Sequence, residues 1–357
     1  MTMRRFGWLV AIPLIGLILG VGVAVASSLS SLSPDRHGET NGFVASTPSP
    51  MPSPSPTVAT PGILGGSVRL LSNGSNTVIA VGSDFAIGSA DGGHTWIVVR
   101  PPAKGSGLAV DPANPRHAIT GGTAIQVTSD GGVTWNAPVT TPPGSGPYQP
   151  LAVSPVESNV WFFVHKNRLL VTRDGSSTWA EVSVPQLTGP ILVPGKSLGQ
   201  FFLATGNRIF QLSNYAQKIN EEPAVPQGDV TDLVAVGGNG PSLLVRVAGK
   251  GVFVLSGSSW VTTAGSLSGP VAAGAGGVML VGNGGGKVAS PGFVSYSLNG
   301  GTTWVPSTGL PFDQTVEAIG GQLDSRTFFA YCYGGDIYTS SDAGHSWSLL
   351  TNRLRSG

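Results

Sequence analysis

Four aspartates stand in one recurring setting. Asp91, Asp130, Asp174 and Asp342 each lie two residues after a Ser or Thr and five residues before a Trp (Trp96, Trp135, Trp179, Trp347), and Asn299 with Trp304 makes a fifth copy. A carboxylate between hydroxyls could act as a general acid or base, or it could brace its own turn by accepting backbone hydrogen bonds. Catalysis needs groups that converge on one bond, and one carboxylate per repeat does not converge. Asn299 keeps an acceptor oxygen and loses the charge, which suits a brace and not an acid. These ten residues are therefore read as structural, and no catalytic residue is assigned.

Bases form a second set. Lys166 and Arg168 (HKNR), Arg208 (TGNR), Lys250 (AGKG) and Lys287 (GGGKV) all fall in short Gly- or Asn-rich turns of successive segments. Brought together they would make a basic arc that docks an acidic or carboxylate-bearing protein. Carboxylates outside the repeated setting are few: Asp84, Asp111, Glu157, Glu181, Glu221, Glu222, Asp229, Asp232, Asp313, Glu317, Asp324 and Asp336. Two of them facing each other across a cleft would be glycosidase chemistry. The five histidines are scattered, and the single cysteine, Cys332, lies in the apolar run Phe328–Tyr333 as a buried strand residue. No metal-ligand spacing, phosphate loop or nucleophile elbow occurs, so no metal and no cofactor is expected. A net charge of +1 gives no field to attract nucleic acid.

The elements that position these residues follow from a repeat. The Asp/Asn position advances by 39, 44, 125 and 43 residues. The long step holds two decayed copies, Ser213-Asn214 and Ser256–Trp260, which makes seven units of about 42 residues over 63–357. The second unit displays the plan: Leu108–Val110, the turn Asp111–Arg116, Ala118–Thr120, the turn Gly121-Gly122, Ala124–Thr128, the Asp turn, and Thr134-Trp135. Four short strands per unit predict an all-β, seven-bladed β-propeller of four-stranded blades. Composition agrees, with 53 glycines, 28 prolines and only 10% charged residues in 357. In such a blade the turn between strands one and two shares a face with the Asp turn. The turns between strands two and three, with the bases, share the other face with the links between blades, which carry Arg100, Lys104, Tyr148, Glu221, Glu222, Asp229, Phe312 and Asp313. Ring closure stays open: either complete first and last units abut, or residues near 57–64 add a strand to the last one.

Ahead of the repeats, Arg4 and Arg5 precede an uncharged apolar run from Phe6 to Ala26, long enough to span a bilayer. Its length favours a membrane anchor, while Ala24-Val25-Ala26 offers a signal-peptidase site, so residues 1–26 are a signal anchor or a signal peptide cleaved after Ala26. Either places the propeller outside the membrane. Residues 27–62, with the run TPSPMPSPSP, read as a Ser/Pro-rich disordered stalk.

The pattern Ser/Thr-x-Asp-x-Gly-x-Ser/Thr-Trp resembles the Asp-box, or bacterial neuraminidase repeat; the copies at Asp91, Asp130 and Asp342 match in full, and Ser176 replaces a Gly in the third. A single seven-bladed propeller of this kind beyond a membrane is similar to the photosystem II assembly and stability factors. That resemblance implies a monomeric, non-enzymatic scaffold that binds a protein, a membrane protein in that family, through an arginine-lined patch, and the basic arc matches it by placement. Sialidases share the repeat, but their Arg-Ile-Pro signature is absent, since residues 66–88 hold only Arg69. Xyloglucanase-type enzymes share it too but use two propellers. The expected function is thus a membrane-tethered docking propeller, with a glycoside hydrolase of sialidase or xyloglucanase type as the alternative.

Overall fold

A computed structural model describes residues 68–351 apart from 75, 227, 241, 264–267, 283–293 and 312–313. The apolar segment, the stalk and Lys287 lie outside the described residues. Seven antiparallel sheets succeed one another along the chain. Blade 1 is Arg69–Asn73, Thr77–Val81, Ala86–Ser89 and Ile97–Val99 (β1–β4). Blade 2 is Leu108–Asp111, Asn114–Thr120 and Gln126–Thr128 (β5–β7). Blade 3 is Tyr148–Val153, Trp161–His165, Arg168–Thr172 and Ala180–Val182 (β8–β11), and blade 4 is Ile191–Pro194, Phe201–Thr205, Arg208–Ser213 and Lys218–Glu221 (β12–β15). Blade 5 is Val230–Ala235, Leu243–Val247, Gly251–Ser256 and Ser259–Thr262 (β16–β19), and blade 6 is Val271–Ala273, Met279–Gly282, Val294–Ser297 and Val305–Pro306 (β20–β23). Blade 7 is Val316–Gly321, Phe328–Cys332, Ile337–Ser340 and Ser348–Thr351 (β24–β27).

Most middle strands carry apolar residues at consecutive positions and not only at alternate ones, as in Trp161–His165 (WFFVH) and Leu243–Val247 (LLVRV). Phe201–Thr205 and Phe328–Cys332 are buried throughout, Cys332 included. A strand buried on both faces must be covered from both sides. The cover is the neighbouring blade: seven hydrophobic clusters each join residues of two adjacent blades, one cluster per junction. First strands meet first strands around the ring, β5 with β8, β12 with β16, β16 with β20 and β24 with β1, so they wall the channel.

The ring closes by the abutment of complete blades. Leu70, Val78 and Ile87 of blade 1 pack on Phe329, Tyr331 and Ile337 of blade 7. Gln322 Nε2 donates to Asn73 Oδ1 at 2.9 Å, and the Gly74 N–H donates to Gln322 Oε1. The outer strand of blade 7 is Ser348–Thr351, a segment of that blade itself; the alternative donor, residues 57–64, lies outside the described residues. Blade 2 departs from the expected plan. Its fourth strand, anticipated at Thr134-Trp135, shrinks to one bridge, with Asn136 and Val127 exchanging bonds of 2.8 and 2.9 Å. Pro138, Pro142 and Pro143 follow at once and cannot donate to a ladder.

The Asp turns are hydrogen-bonded as braces. Ser89 Oγ donates to Asp91 Oδ1 at 2.7 Å and accepts from the Gly93 N–H at 2.8 Å, while Asp91 accepts from the Thr95 N–H and from Thr95 Oγ1. The same pattern surrounds Asp130, Asp174 and Asp342. Asn299 keeps it, its Nδ2 donating to Thr303 Oγ1 at 2.9 Å. Trp96 and Trp304 donate to Gly93 and Gly301 carbonyls in their own turns, and Trp179 donates to Thr140 O in the preceding link. Trp135 and Trp347 pack into junction cores. The second Gly has a steric reason: Gly344 has φ +86°, and a Cβ there would lie 2.5 Å from Leu280 of blade 6. Ser176 takes the Gly position at φ 77°, and its Oγ accepts the Val139 N–H at 2.8 Å.

Two expectations follow. Hydrogen bonds from Thr95 and Thr134 hold the Asp91 and Asp130 carboxyls down at about 2. A depressed folded-state value stabilises the fold fully above the unfolded carboxyl value of roughly 3.9, and that contribution is lost as pH falls towards 2. Asp91→Asn, copying Asn299, should flatten the acid limb of a Tm-against-pH curve measured by circular dichroism; an unchanged limb refutes the brace. Phe329→Ala, at the closing junction, should lower unfolding free energy by about 3–5 kcal/mol in denaturant titration.

Candidate functional site

Two-residue and three-residue hairpins put the bases on one face. Lys166 and Asn167 both have positive φ (46° and 68°) between paired His165 and Arg168, the geometry of a type I′ turn with Lys166 at its tip. Arg208 follows the Gly206-Asn207 turn of blade 4, and Lys250 ends the Ala248–Lys250 turn of blade 5. Four of the five expected bases thus occupy equivalent turns of blades 3, 4 and 5, and the fifth, Lys287, lies outside the described residues.

The two arginines are not bare cations. Arg168 Nη1 pairs with Glu181, and Arg208 grips Glu221 with two bonds of 2.6 Å through Nε and Nη2. In both, the partner lies 13 residues on, in the outermost strand of the same blade. The Arg208 guanidinium also lies over the Phe210 ring, 4.9 Å from its centre. The hydrogen bond from Arg208 holds the Glu221 carboxyl below its ordinary range. The face therefore alternates in sign and is not a continuous positive surface. Of the expected link residues, Arg100 lies over Phe85 at 4.6 Å. Tyr148 stacks on His165 with ring centres 4.7 Å apart and donates its hydroxyl to Gly144 O at 2.6 Å. Phe312 and Asp313 lie outside the described residues.

The channel holds groups that the turn analysis missed. Arg69 opens the first strand of blade 1, and Asp232 lies on the first strand of blade 5 beside a β-bulge. These blades are not neighbours, so the attraction between the two charges runs across the lumen. Arg69 keeps solvent contact while protein walls surround it, and this confinement pushes its guanidinium down, Asp232 opposing. Burial pushes the Asp232 carboxyl up; N–H groups of Val271 and Leu233, both at 2.9 Å, and the cations Arg246 and Arg69 pull it back. Glu317, at the bulge of the first strand of blade 7, is also pushed up by burial. Both carboxylates were among the twelve candidates in the sequence. The signal that could have singled them out is a charge inside the first, channel-lining run of a unit.

Among the described residues no group of three or more His, Cys, Asp or Glu is placed to hold a metal ion, and no helix is long and apolar enough to cross a membrane.

No protein-family model and no curated protein matches the sequence. Solved structures do match. YCF48 bound to a D1 peptide is 14% identical with a TM-score of 0.56, the match covering 79% of this chain and 95% of that one. The β-propeller domain of Cps50 (Swd1) from Myceliophteria thermophila is 13% identical with a TM-score of 0.52, covering 78% and 97%. An ancestral GH74 enzyme is 15% identical with a TM-score of 0.53, covering 81% of this chain. Of two GH74 enzymes that it matches, the chain spans less than half the length, 42% and 46%. At these identities the likeness is one of fold.

The channel pairing makes a prediction. Arg69→Met removes one of the cations that lower Asp232, so the Asp232 carboxyl should titrate at higher pH than in the wild type. Carboxyl-carbon NMR on the two proteins measures it, and an unmoved titration breaks the pairing.

Proposed function

We propose that the chain is a non-enzymatic docking propeller, held outside the membrane by residues 6–26, that binds a protein partner as assembly factors do. The observation behind this reading is the succession of Lys166, Arg168, Arg208 and Lys250 at equivalent hairpins of three adjacent blades. Glu181 and Glu221 hold the arginines extended, and a partner carboxylate can exchange with either glutamate at little net loss, because both pairs are solvent-exposed. Lys166 and Lys250 add charge at the tips, and Lys287 belongs to the same series by sequence. The likeness to YCF48, which is bound to a D1 peptide in the matched structure and almost wholly covered by the match, supports a peptide or protein as the occupant. A membrane protein is the partner this placement favours, with the propeller acting as a monomer.

A second reading keeps the glycoside hydrolase open. Asp232 and Glu317 are two channel-wall carboxylates whose proton affinity burial raises, the environment that general acids need.

Pull-down from solubilised membranes with the full chain tests both. The wild type should retain a specific membrane protein, and the K166A/R168A/R208A/K250A variant should lose it. Capture that survives the four substitutions overturns the basic face. Glycoside turnover abolished by Asp232→Asn or Glu317→Gln would replace docking with hydrolysis.

A further inference from the structure

On the opposite face, among the Asp turns, a pocket of about 360 Å³ opens at the junction of blades 2 and 3. This falls within the roughly 300–1,000 Å³ of small-molecule sites. Its floor is built around a fixed pair. Asp111, 1% exposed, ends the first strand of blade 2; its Oδ1 accepts the Ala113 N–H at 2.8 Å, and its Oδ2 lies 3.3 Å from His117 Nδ1. With Asp111 ionised and His117 neutral, Nδ1 carries the imidazole proton towards the carboxylate and Nε2 is left as an acceptor. The Trp161 ring backs His117 at 6.0 Å between centres, and Trp161 Nε1 is itself tied to Ser158 O at 2.7 Å. The imidazole is thus oriented from two sides before any ligand arrives.

The rest of the wall decides what fits. No Lys or Arg lines the pocket, and its one charged group is a carboxylate, which disfavours anions. Ser129 and Ser158 bring hydroxyls that both donate and accept. Asn114 brings an amide whose Oδ1 is occupied by the Arg116 N–H at 3.1 Å, leaving its NH₂ to donate. Pro155 and Val156, the latter 69% exposed, add aliphatic surface at the rim. Mixed hydroxyl, amide and imidazole groups beside saturated carbon match a ring that carries hydroxyls on its edge and C–H on its face.

We propose that this pocket is a second binding site, independent of the basic face, for a neutral hydroxyl-rich ligand of the saccharide class. His117 Nε2 accepts one ligand O–H, and Asn114, Ser129 and Ser158 share the others. The site binds and has no reaction to perform.

The test uses the full chain in a detergent without a sugar headgroup. Ligand-observed saturation-transfer NMR compares neutral mono- and disaccharides with their uronic-acid and amino-sugar counterparts. Neutral sugars should bind at least about tenfold more tightly than either charged form. His117→Ala should weaken them by at least about tenfold. Ser158→Trp, which fills the mouth from an exposed turn and leaves the Asp111–His117 pair intact, should abolish binding even if the His117 variant folds poorly. K166A/R168A/R208A/K250A should bind sugar as the wild type does, which separates this site from the docking face. No sugar bound, or binding indifferent to Ser158→Trp, overturns the proposal. Preference for the amino sugars would assign the pocket to a cation instead, and also overturns it.

Discussion

Every blade of this protein is apolar on both faces, and that one fact dictates the rest. A sheet buried on one side can stop at water, but a sheet buried on two sides needs a neighbour on each. Adding neighbours in a row always leaves two greasy end faces. Only a closed ring removes them, and seven junction cores for seven blades is that solution. Closure is consequently a matter of side-chain packing: Phe329 and Tyr331 against Leu70 and Ile87 do at the seam what Phe162 and Phe201 do within the ring. The low content of charged residues follows, because most strand positions are interior.

The ring also distributes stiffness and chemistry. On one face the Asp turn is tied to the turn between the first two strands of its own blade or, in blade 2, to the start of the second strand. The N–H groups of Gly92, Gly131, Gly175, Tyr215 and Ala343 donate to carbonyls of Asn76, Arg116, Asn159, Gly199 and Arg326. Blade 4 has lost the aspartate and still keeps this bond, with Asn214, Tyr215 and Ala216 all at positive φ in place of glycines. The tie therefore forms without the carboxylate, which reinforces it where present. On the other face the hairpins of blades 3, 4 and 5 have only two or three residues and carry the bases.

Legibility in the sequence follows the same division. The repeat announced the seven blades, because a turn that must place a carboxylate, a positive-φ residue and a Trp at fixed offsets leaves a readable trace. Strand buildup failed at Thr134-Trp135, where the motif was intact but the prolines beyond it removed the donors a fourth strand needs. The turns bearing Lys166, Arg168, Arg208 and Lys250 were legible from their Gly and Asn residues. The glutamate partners were not, although both sit at the same 13-residue offset, because the pairing depends on which side of an outer strand a residue emerges. The influence of Arg69 on Asp232 was illegible for a deeper reason: charges 163 residues apart act on each other only because the ring brings blade 1 opposite blade 5.

The balance of charge on the basic face bears on how it would discriminate partners. A bare cationic arc would attract any polyanion, with an affinity that collapses as salt rises. Here each arginine already has a carboxylate, so a partner gains little from charge alone. It would gain when its own carboxylates fall at the spacing of the blades, within reach of Arg168 and Arg208 together. Alternating sign thus converts a general attraction into a requirement for register, and register is what a rigid ring of repeated hairpins is built to supply.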